Sequence, residues 1–251
     1  MAIDVDSALR RLEGLLLPPR CVLCGRAGQR PCLDLCRDCE GDLPYMPTAC
    51  LRCGQPQVAT DMAGLTCPAC RVDPPGFDRC YARFDYRPPV DWLVHGLKYR
   101  GELALGRVLG GLLGSALVRN GLHLDVDTIV PVPLHPRRHA ERGFNQSAEV
   151  ARWVGRVVGR PCSDRAVLRR RDTPAQVGLQ AGHRRANLMG AFECSATLGG
   201  ARIAVVDDVV TTGSTAEAMA HALRNAGAVS VDVWSVARVV PERLPRGLQA
   251  S

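Results

Sequence analysis

Two adjacent carboxylates at the end of an apolar run are the residues of this chain whose types and spacing most directly suggest chemistry. Ile203-Ala204-Val205-Val206 leads into Asp207-Asp208, then Val209-Val210 and the small polar turn Thr211-Thr212-Gly213-Ser214-Thr215. The β-branched run reads as a buried parallel strand, and the Ala, Met and Leu positions that follow, as far as Asn225-Ala226-Gly227, read as a helix. Small residues at a strand-to-helix turn let backbone N–H groups converge on an oxyanion, and the helix dipole favours a phosphate there. Two acids touching that phosphate would repel it, so they suit sugar hydroxyls beside it, alone or with a metal. An ordinary strand–turn–helix accounts for the apolar run but not for the acids, which are costly for stability alone.

A second constellation is made of sulfur. Of twelve cysteines, ten lie between Cys21 and Cys80, and eight of those form four CxxC pairs: Cys21/Cys24, Cys36/Cys39, Cys50/Cys53 and Cys67/Cys70. The first pair of each half repeats as Cys-x-x-Cys-Gly, an internal duplication in which Gly25 and Gly54 can turn the chain with positive φ and aim backbone N–H groups at sulfur. Four thiolates close a tetrahedral Zn²⁺ shell with no position left for water, so two structural zinc ions are expected. Few apolar residues separate the pairs, and the metal must supply much of the folding energy. Thioredoxin-like redox chemistry fits poorly, because no βαβ pattern surrounds any CxxC. Consecutive pairing is the preferred arrangement. A crossed one also fits the spacing, and Cys32 is an alternative to Cys36 at the cost of the CxxC register. Cys80, Cys162 and Cys194 read as buried thiols.

The third feature is cationic. Asp127 to Pro133 reads as a strand that its prolines end abruptly, and Leu134, His135, Arg137, Arg138, Arg142 and Gly143 follow before a helix over Ser147 to Val158. Ligand crevices in open parallel sheets lie outside the strands' carboxyl ends. A cationic loop there, facing the two aspartates, suits pyrophosphate, with the histidines as neutral hydrogen bonders. The segment Leu168 to Asn187, with Arg169, Arg170, Arg171, Gln176 and Arg185, is basic and has little apolar periodicity. It reads as a lid over a bound diphosphate, with nucleic-acid contact as the competing reading. Lys98 and Arg100, before Gly101, read as solvated helix-end charges, with an anion contact as the lesser alternative.

These groups must be held by a larger frame. A chain of 251 residues with 46% hydrophobic content has room for one large domain and a small one. The spacing predicts a helix over Asp6 to Leu17, stopped by Pro18-Pro19, within a module at 1–79 that carries both four-cysteine sets. Residues 80–251 then form an α/β domain: a strand from Cys80 to Tyr86, a helix from Val90 through Trp92, Leu93, Leu97 and Tyr99, and a second helix from Leu103 to Val118. The net charge of +7 points to an anionic ligand, phosphorylated metabolite or nucleic acid. No apolar run is long enough for a membrane span, and Met1 to Arg11 alternates charge with apolar residues, so a cytoplasmic location is expected.

The stretch Ile203 to Thr215 resembles the phosphoribosyl-pyrophosphate (PRPP) motif of type I phosphoribosyltransferases. Lys98-Tyr99-Arg100-Gly101, then Val130-Pro131-Val132-Pro133-Leu134, Arg142-Gly143-Phe144-Asn145-Gln146, then Gln176, Leu179, Arg185, Asn187 and Ala191-Phe192 precede that motif in the order seen in the ComF family of competence-associated proteins. Those proteins also carry an N-terminal cysteine-rich finger, so the resemblance covers nearly the whole chain. The second four-cysteine set is more than some members have, which leaves the fold of residues 40–79 open. The resemblance implies a type I phosphoribosyltransferase-like parallel sheet with helices on both faces, plus a small zinc-binding module. Carried onto these residues, it implies that Thr211, Thr212, Gly213, Ser214 and Thr215 hold a ribose 5-phosphate while Asp207 and Asp208 hold the ribose hydroxyls. Mg²⁺ would ride on the diphosphate. It also implies a link to DNA uptake, with single-stranded DNA or DNA-uptake proteins as partners. The protein is then either a transferase at ribose C1 or a non-catalytic DNA-processing accessory that keeps the PRPP site as a relic or sensor. No pocket for the acceptor nucleophile is legible.

Overall fold

The computed structural model describes residues 20–28, 34–57, 66–171, 190–195 and 197–241. The helix expected over Asp6 to Leu17, together with Gln176 and Arg185, lies outside the described residues. The chain divides into two compact units, Met1–Leu43 and Pro44–Ser251. This division differs from the module boundary expected at 79/80, because residues of the second four-cysteine set are hydrogen-bonded into the large sheet.

In the smaller unit, α1 (Arg37–Gly41) starts at Cys36, whose sulfur receives the Cys39 N–H at 3.5 Å. The chain doubles back at Gly25, with φ +73° and its N–H on the Cys21 carbonyl at 2.8 Å.

The larger unit is built on four parallel strands: β1 (Arg79–Asp85), β2 (Thr128–Pro131), β5 (Arg202–Val210) and β6 (Ser230–Arg238), in the spatial order β1-β6-β5-β2. β3 (Val167–Arg169) and β4 (Phe192–Cys194) form a separate antiparallel pair. β5 stands out in the sequence as an apolar run, whereas β6, its central neighbour, does not. Asp232 interrupts the apolar pattern of β6, yet it is buried and held by the Arg79 guanidinium at 2.8 Å.

Helices cover both faces of the sheet. Against one face, Val130, Ile203, Val205, Val231 and Val233 share a core with Ala216, Met219, Ala220 and Leu223 of α7 (Ser214–Asn225). On the other, α6 (Gln146–Val158) lies over β2, and Gly155 comes within contact range of Ile129. α6 packs in turn on α4 (Ala104–Arg119), which has glycines at 106, 110 and 114, one per turn. A Cβ at Gly110 would sit 2.7 Å from both the Trp153 Cβ and the Val150 carbonyl oxygen, and one at Gly114 would sit 2.8 Å from the Val157 Cβ. Only glycine admits α6 this close, and α6 begins at the mouth of the sheet.

Both edge strands are covered, which removes open pairing edges. Beside β1, Tyr45 bridges Phe84 antiparallel, the Met46 N–H donates to the Arg83 carbonyl (3.0 Å), and the Cys80 N–H donates to the Leu51 carbonyl (2.9 Å). A short helix, α2 (Pro68–Val72), carries Cys70. At the far edge Cys162 bridges Ile129. α3 (Val90–Arg100) ends at Gly101 with φ +67°, where the sequence places the break. The expected cationic loop after β2 is in large part a helix, α5 (Pro136–Arg142). His135 is its N-cap, proline opens its first turn and Gly143 closes it at φ +81°.

Candidate functional site

β5 delivers its two acids into different surroundings. Asp208 is buried, 3% exposed, and its carboxylate is ion-paired with the Lys98 ammonium. Asp207 is half-buried, and its Oδ1 accepts from the Asp208 N–H at 2.9 Å and from the Ser147 hydroxyl at 3.1 Å. Loss of solvent, then the neighbouring Asp208 charge, push the Asp207 carboxyl up to about 8. Burial works against the Lys98 ammonium, but Asp208, with Asp207 behind it, outweighs burial and holds the lysine above its ordinary value. Asp207 is thus held toward its protonated form beside the Lys98–Asp208 ion pair, a polar patch able to accept hydroxyls without two bare charges side by side.

Lys98 is the residue that sequence reasoning undervalues. It lies four positions after Val94 and one after Leu97, both fully buried, so it continues the inward stripe of α3. A cation on the apolar face of an amphipathic helix is the signal that identifies it.

After β5 the chain turns at Thr211 and Thr212, both exposed, and enters α7 through Gly213 at φ +86°. Its N-cap, Gly213, has no side chain to offer, and the Thr212 hydroxyl accepts the Ser214 N–H at 3.4 Å. The Thr212 and Ser214 hydroxyls lie 2.9 Å apart. The N-terminus of α7, with the Thr212 and Ser214 hydroxyls beside it, follows the carboxyl end of β5, the kind of position at which helix N–H groups can meet an anion.

The cationic residues after β2 do not act as one group, because α5 distributes them around a helix. Arg138 and Arg142, one turn apart, line a cleft of about 590 Å³ together with Lys98, Tyr99, Arg100 and Phe144. Leu134, His135 and Gly143 line a second cleft of about 510 Å³, shared with Arg169 and Arg170. Arg137 pairs with Glu141 at 3.0 Å and lines neither. Arg169 sits on β3, Arg170 pairs with Glu193 at 2.7 Å, and Arg171 is exposed after the strand. The first cleft meets the acids through Lys98. Neither cleft is lined by the residues of the turn at 211–215. Asn145 ties the region together: its side chain donates to the Val132 carbonyl (3.0 Å) and accepts from the Ser147 N–H (3.0 Å), fixing the start of α6 against the end of β2.

The cysteines assemble in the consecutive arrangement: Cys21, Cys24, Cys36 and Cys39 form one group and Cys50, Cys53, Cys67 and Cys70 another, with all sulfurs in each group within 4.8 Å of one another. Tetrahedral Zn–S bonds require sulfurs ~3.8 Å apart, and the Cys24–Cys36 and Cys53–Cys67 separations are 3.6 and 3.8 Å. Both groups therefore fit a structural zinc. Gly25 and Gly54 adopt the expected positive φ, +73° and +70°. Burial raises the Cys21 and Cys50 thiols, but surrounding backbone N–H groups bring them down to about 6 and about 7, whereas burial and neighbouring thiols hold Cys39, Cys53 and Cys70 up, so only part of each set is poised as thiolate without a cation. Cys32 lies outside the described residues.

Comparison with known proteins agrees with this arrangement. Residues 12–71 match the double zinc ribbon domain. The chain is 36% identical over 230 residues to DNA utilization protein YhgH of Escherichia coli strain K12, an alignment that covers 90% of this chain and 100% of that protein. It is 30% identical to competence protein F of Haemophilus influenzae over 81% of this chain and 90% of that one. Among solved structures it is similar to purine phosphoribosyltransferase from Pyrococcus horikoshii (TM-score 0.33, 18% identity, 52% of this chain and 76% of that one). A further similar structure is the allosteric regulatory enzyme of purine biosynthesis (TM-score 0.36, 19% identity, 52% of this chain and 26% of that one). With one relative matched over its whole length and a double zinc ribbon preceding a parallel sheet, the chain belongs to the ComF family, which includes DNA utilization protein YhgH and competence protein F.

Proposed function

We propose that this protein binds PRPP and transfers a phosphoribosyl group at ribose C1 with loss of pyrophosphate, as a cytoplasmic step linked to DNA uptake or utilization. The observation that carries the reading is the glycine-opened start of α7, reached through a turn of small hydroxyl residues just after the adjacent acids Asp207 and Asp208. Thr211, Thr212, Gly213, Ser214 and Thr215 would hold the 5-phosphate through backbone N–H groups. Asp207 and Asp208 would accept the ribose hydroxyls and stabilise positive character at C1 as the bond to the diphosphate lengthens. Arg138 and Arg142, lining the adjoining cleft, would receive the diphosphate with its Mg²⁺. Leu134, His135 and Gly143, which line the second cleft, and Arg137 on α5 would flank that site, and Arg169, Arg170 and Arg171 would serve, with Gln176 and Arg185, as the cover expected from the sequence. The DNA link follows from the names of the relatives. Calorimetric titration with PRPP and Mg²⁺ tests the reading: saturable binding that D208A weakens supports it, and no Mg²⁺-dependent affinity rejects it.

A second reading, contact with single-stranded DNA, is favoured by one surface. Trp92, His95 and Tyr99 share one exposed face of α3, with Trp92 and Tyr99 more than 60% exposed, and the Arg142 guanidinium lies 5.3 Å from the Tyr99 ring centre. Aromatic faces beside arginines are what unpaired bases stack on. Binding of a labelled single strand should fall steeply with salt and drop in a W92A/Y99A variant; salt-insensitive binding, or none, removes this reading.

A further inference from the structure

The Lys98 contact has a consequence for which ligand the acid pair accepts. Asp208 is almost fully enclosed and its carboxylate is already engaged by an ammonium that is itself mostly enclosed, the two side chains being 4% and 21% exposed. A buried carboxylate stripped of its only cation is costly, and so is a buried ammonium stripped of its carboxylate. A sugar hydroxyl can therefore take Asp208 fully only if another donor set satisfies the acid and another anion satisfies the lysine at the same moment. Lys98 is placed for such an exchange. It stands at the end of α3, one residue before exposed Tyr99, on a four-carbon stem that can swing, and it lines the 590 Å³ cleft with Arg138 and Arg142. The cleft's other charged lining residues include Arg100, paired with Glu102, and Glu141, paired with Arg137.

Resting on the phosphoribosyl reading above, we infer that Lys98 is a ligand-exchanging residue. It neutralises Asp208 in the free protein and moves onto the diphosphate of a 1-diphosphorylated ribose, which frees Asp208 for the ribose hydroxyls. Both halves of such a ligand are needed to complete the exchange, since the ribose compensates Asp208 and the diphosphate compensates Lys98. Ribose 5-phosphate alone leaves the ammonium without an anion, and inorganic pyrophosphate alone leaves the carboxylate without a cation. The site thereby selects the diphosphorylated sugar over either fragment. The lysine also lies where a diphosphate oxygen gains charge as the C1–O bond breaks and its electron pair goes to the leaving group.

The test is titration of the full chain with inorganic pyrophosphate and, separately, ribose 5-phosphate, both with Mg²⁺, for wild type, D208N and K98Q. D208N removes the group that holds Lys98 back, so it should bind pyrophosphate several-fold more tightly than wild type while binding ribose 5-phosphate more weakly. K98Q should lose about tenfold or more for pyrophosphate and lose nothing for ribose 5-phosphate. D208N strands a lysine whose side chain is 21% exposed, against 4% for the aspartate that K98Q strands, so D208N is the milder variant and its result decides the matter even where K98Q does not fold. Pyrophosphate affinity that is unchanged or weaker in D208N overturns the exchange while leaving the phosphoribosyl reading standing. PRPP with Mg²⁺, titrated alongside, should bind wild type more tightly than either fragment: fragments bound as tightly as PRPP overturn the exchange alone, and failure of wild type to bind PRPP overturns both readings.

Discussion

The two four-cysteine sites share ligand type, knuckle spacing and a positive-φ glycine, yet they are built into the molecule in different ways. The first belongs to the unit Met1–Leu43, and one of its ligands, Cys24, is exposed. The second belongs to the unit that contains the sheet. Its knuckle loop hydrogen-bonds to β1 through Leu51 and Cys80, Arg52 reaches Asp78, and the chain that leaves it is hooked to α7 by the Gly76 N–H on Glu217 (2.9 Å) and by Arg224 on Asp78 (2.6 Å). Glu217 is in the first turn of α7, next to the turn proposed to hold the 5-phosphate. Identical coordination chemistry thus has different reach: one site organises its own small unit, and the other closes a sheet edge and steadies the helix that begins at the candidate site.

The largest effect should come from removing a ligand. Cys50→Ser is expected to lower the stability of the larger unit by several kcal/mol, of the order seen when a structural metal is lost. Cys21→Ser should unfold the first ribbon and leave the larger unit's thermal transition in place. Calorimetry of both variants checks this, and equal effects would erase the distinction. Graded chelation should likewise release two zinc equivalents in two phases, the first from the site with the exposed Cys24. A single concerted release counts against it.

The knuckle glycines sharpen the comparison at smaller scale. Gly25→Ala and Gly54→Ala both place a side chain in the left-handed region at about 1–2 kcal/mol. Among the described residues nothing lies within 4 Å of a Cβ at Gly25, whereas at Gly54 it would meet the Cys80 sulfur at 3.0 Å and the Cys80 carbonyl at 3.2 Å. Gly54→Ala should therefore cost more, by about 1 kcal/mol or above, measured by urea unfolding.

The smallest effect is electrostatic and confined to the larger unit. The Asp207 carboxyl is raised to about 8 in the folded chain, above its ordinary 3.8, so the folded state holds the proton more tightly than the unfolded one. The associated stability is fully present below pH 3.8 and is lost as pH rises through about 8. Asp207→Asn should accordingly be more stable than wild type at pH 8 by about 1–2 kcal/mol, and by less at pH 5. A variant difference that does not change with pH contradicts this.

Much of this arrangement was legible in the sequence where the local pattern and the final contacts coincide. The β5 run, the Gly101 break, the CxxC knuckles and the glycine turns are all decided within a few residues, whereas spacing alone leaves consecutive and crossed pairing of the knuckles both open. What was missed depends on partners distant in sequence. β6 was obscured by Asp232, whose burial makes sense only with Arg79, 153 positions earlier. Lys98 was read as solvated because its partner lies on β5. The cationic residues after β2 were read as one loop because the proline-opened helix that turns Arg138 and Arg142 away from His135 has no apolar stripe to announce it; none of its residues is buried. The edge position of the second ribbon had no local signal either, since backbone pairing to β1 leaves no mark on side-chain type.

The central claim is that the turn from Asp207 to Thr215 accepts a 5-phosphoribosyl group. Isothermal titration of wild type and Gly213→Val with PRPP in the presence of Mg²⁺ tests it most directly. A Cβ at Gly213 meets no atom within 4 Å, but the backbone there has φ +86°, so a β-branched residue must reshape the turn without disturbing the core. The account predicts saturable binding by wild type and a loss of about tenfold or more in the variant, with the sheet's thermal transition retained. Absent binding by wild type, or equal affinity in the two proteins, would contradict it.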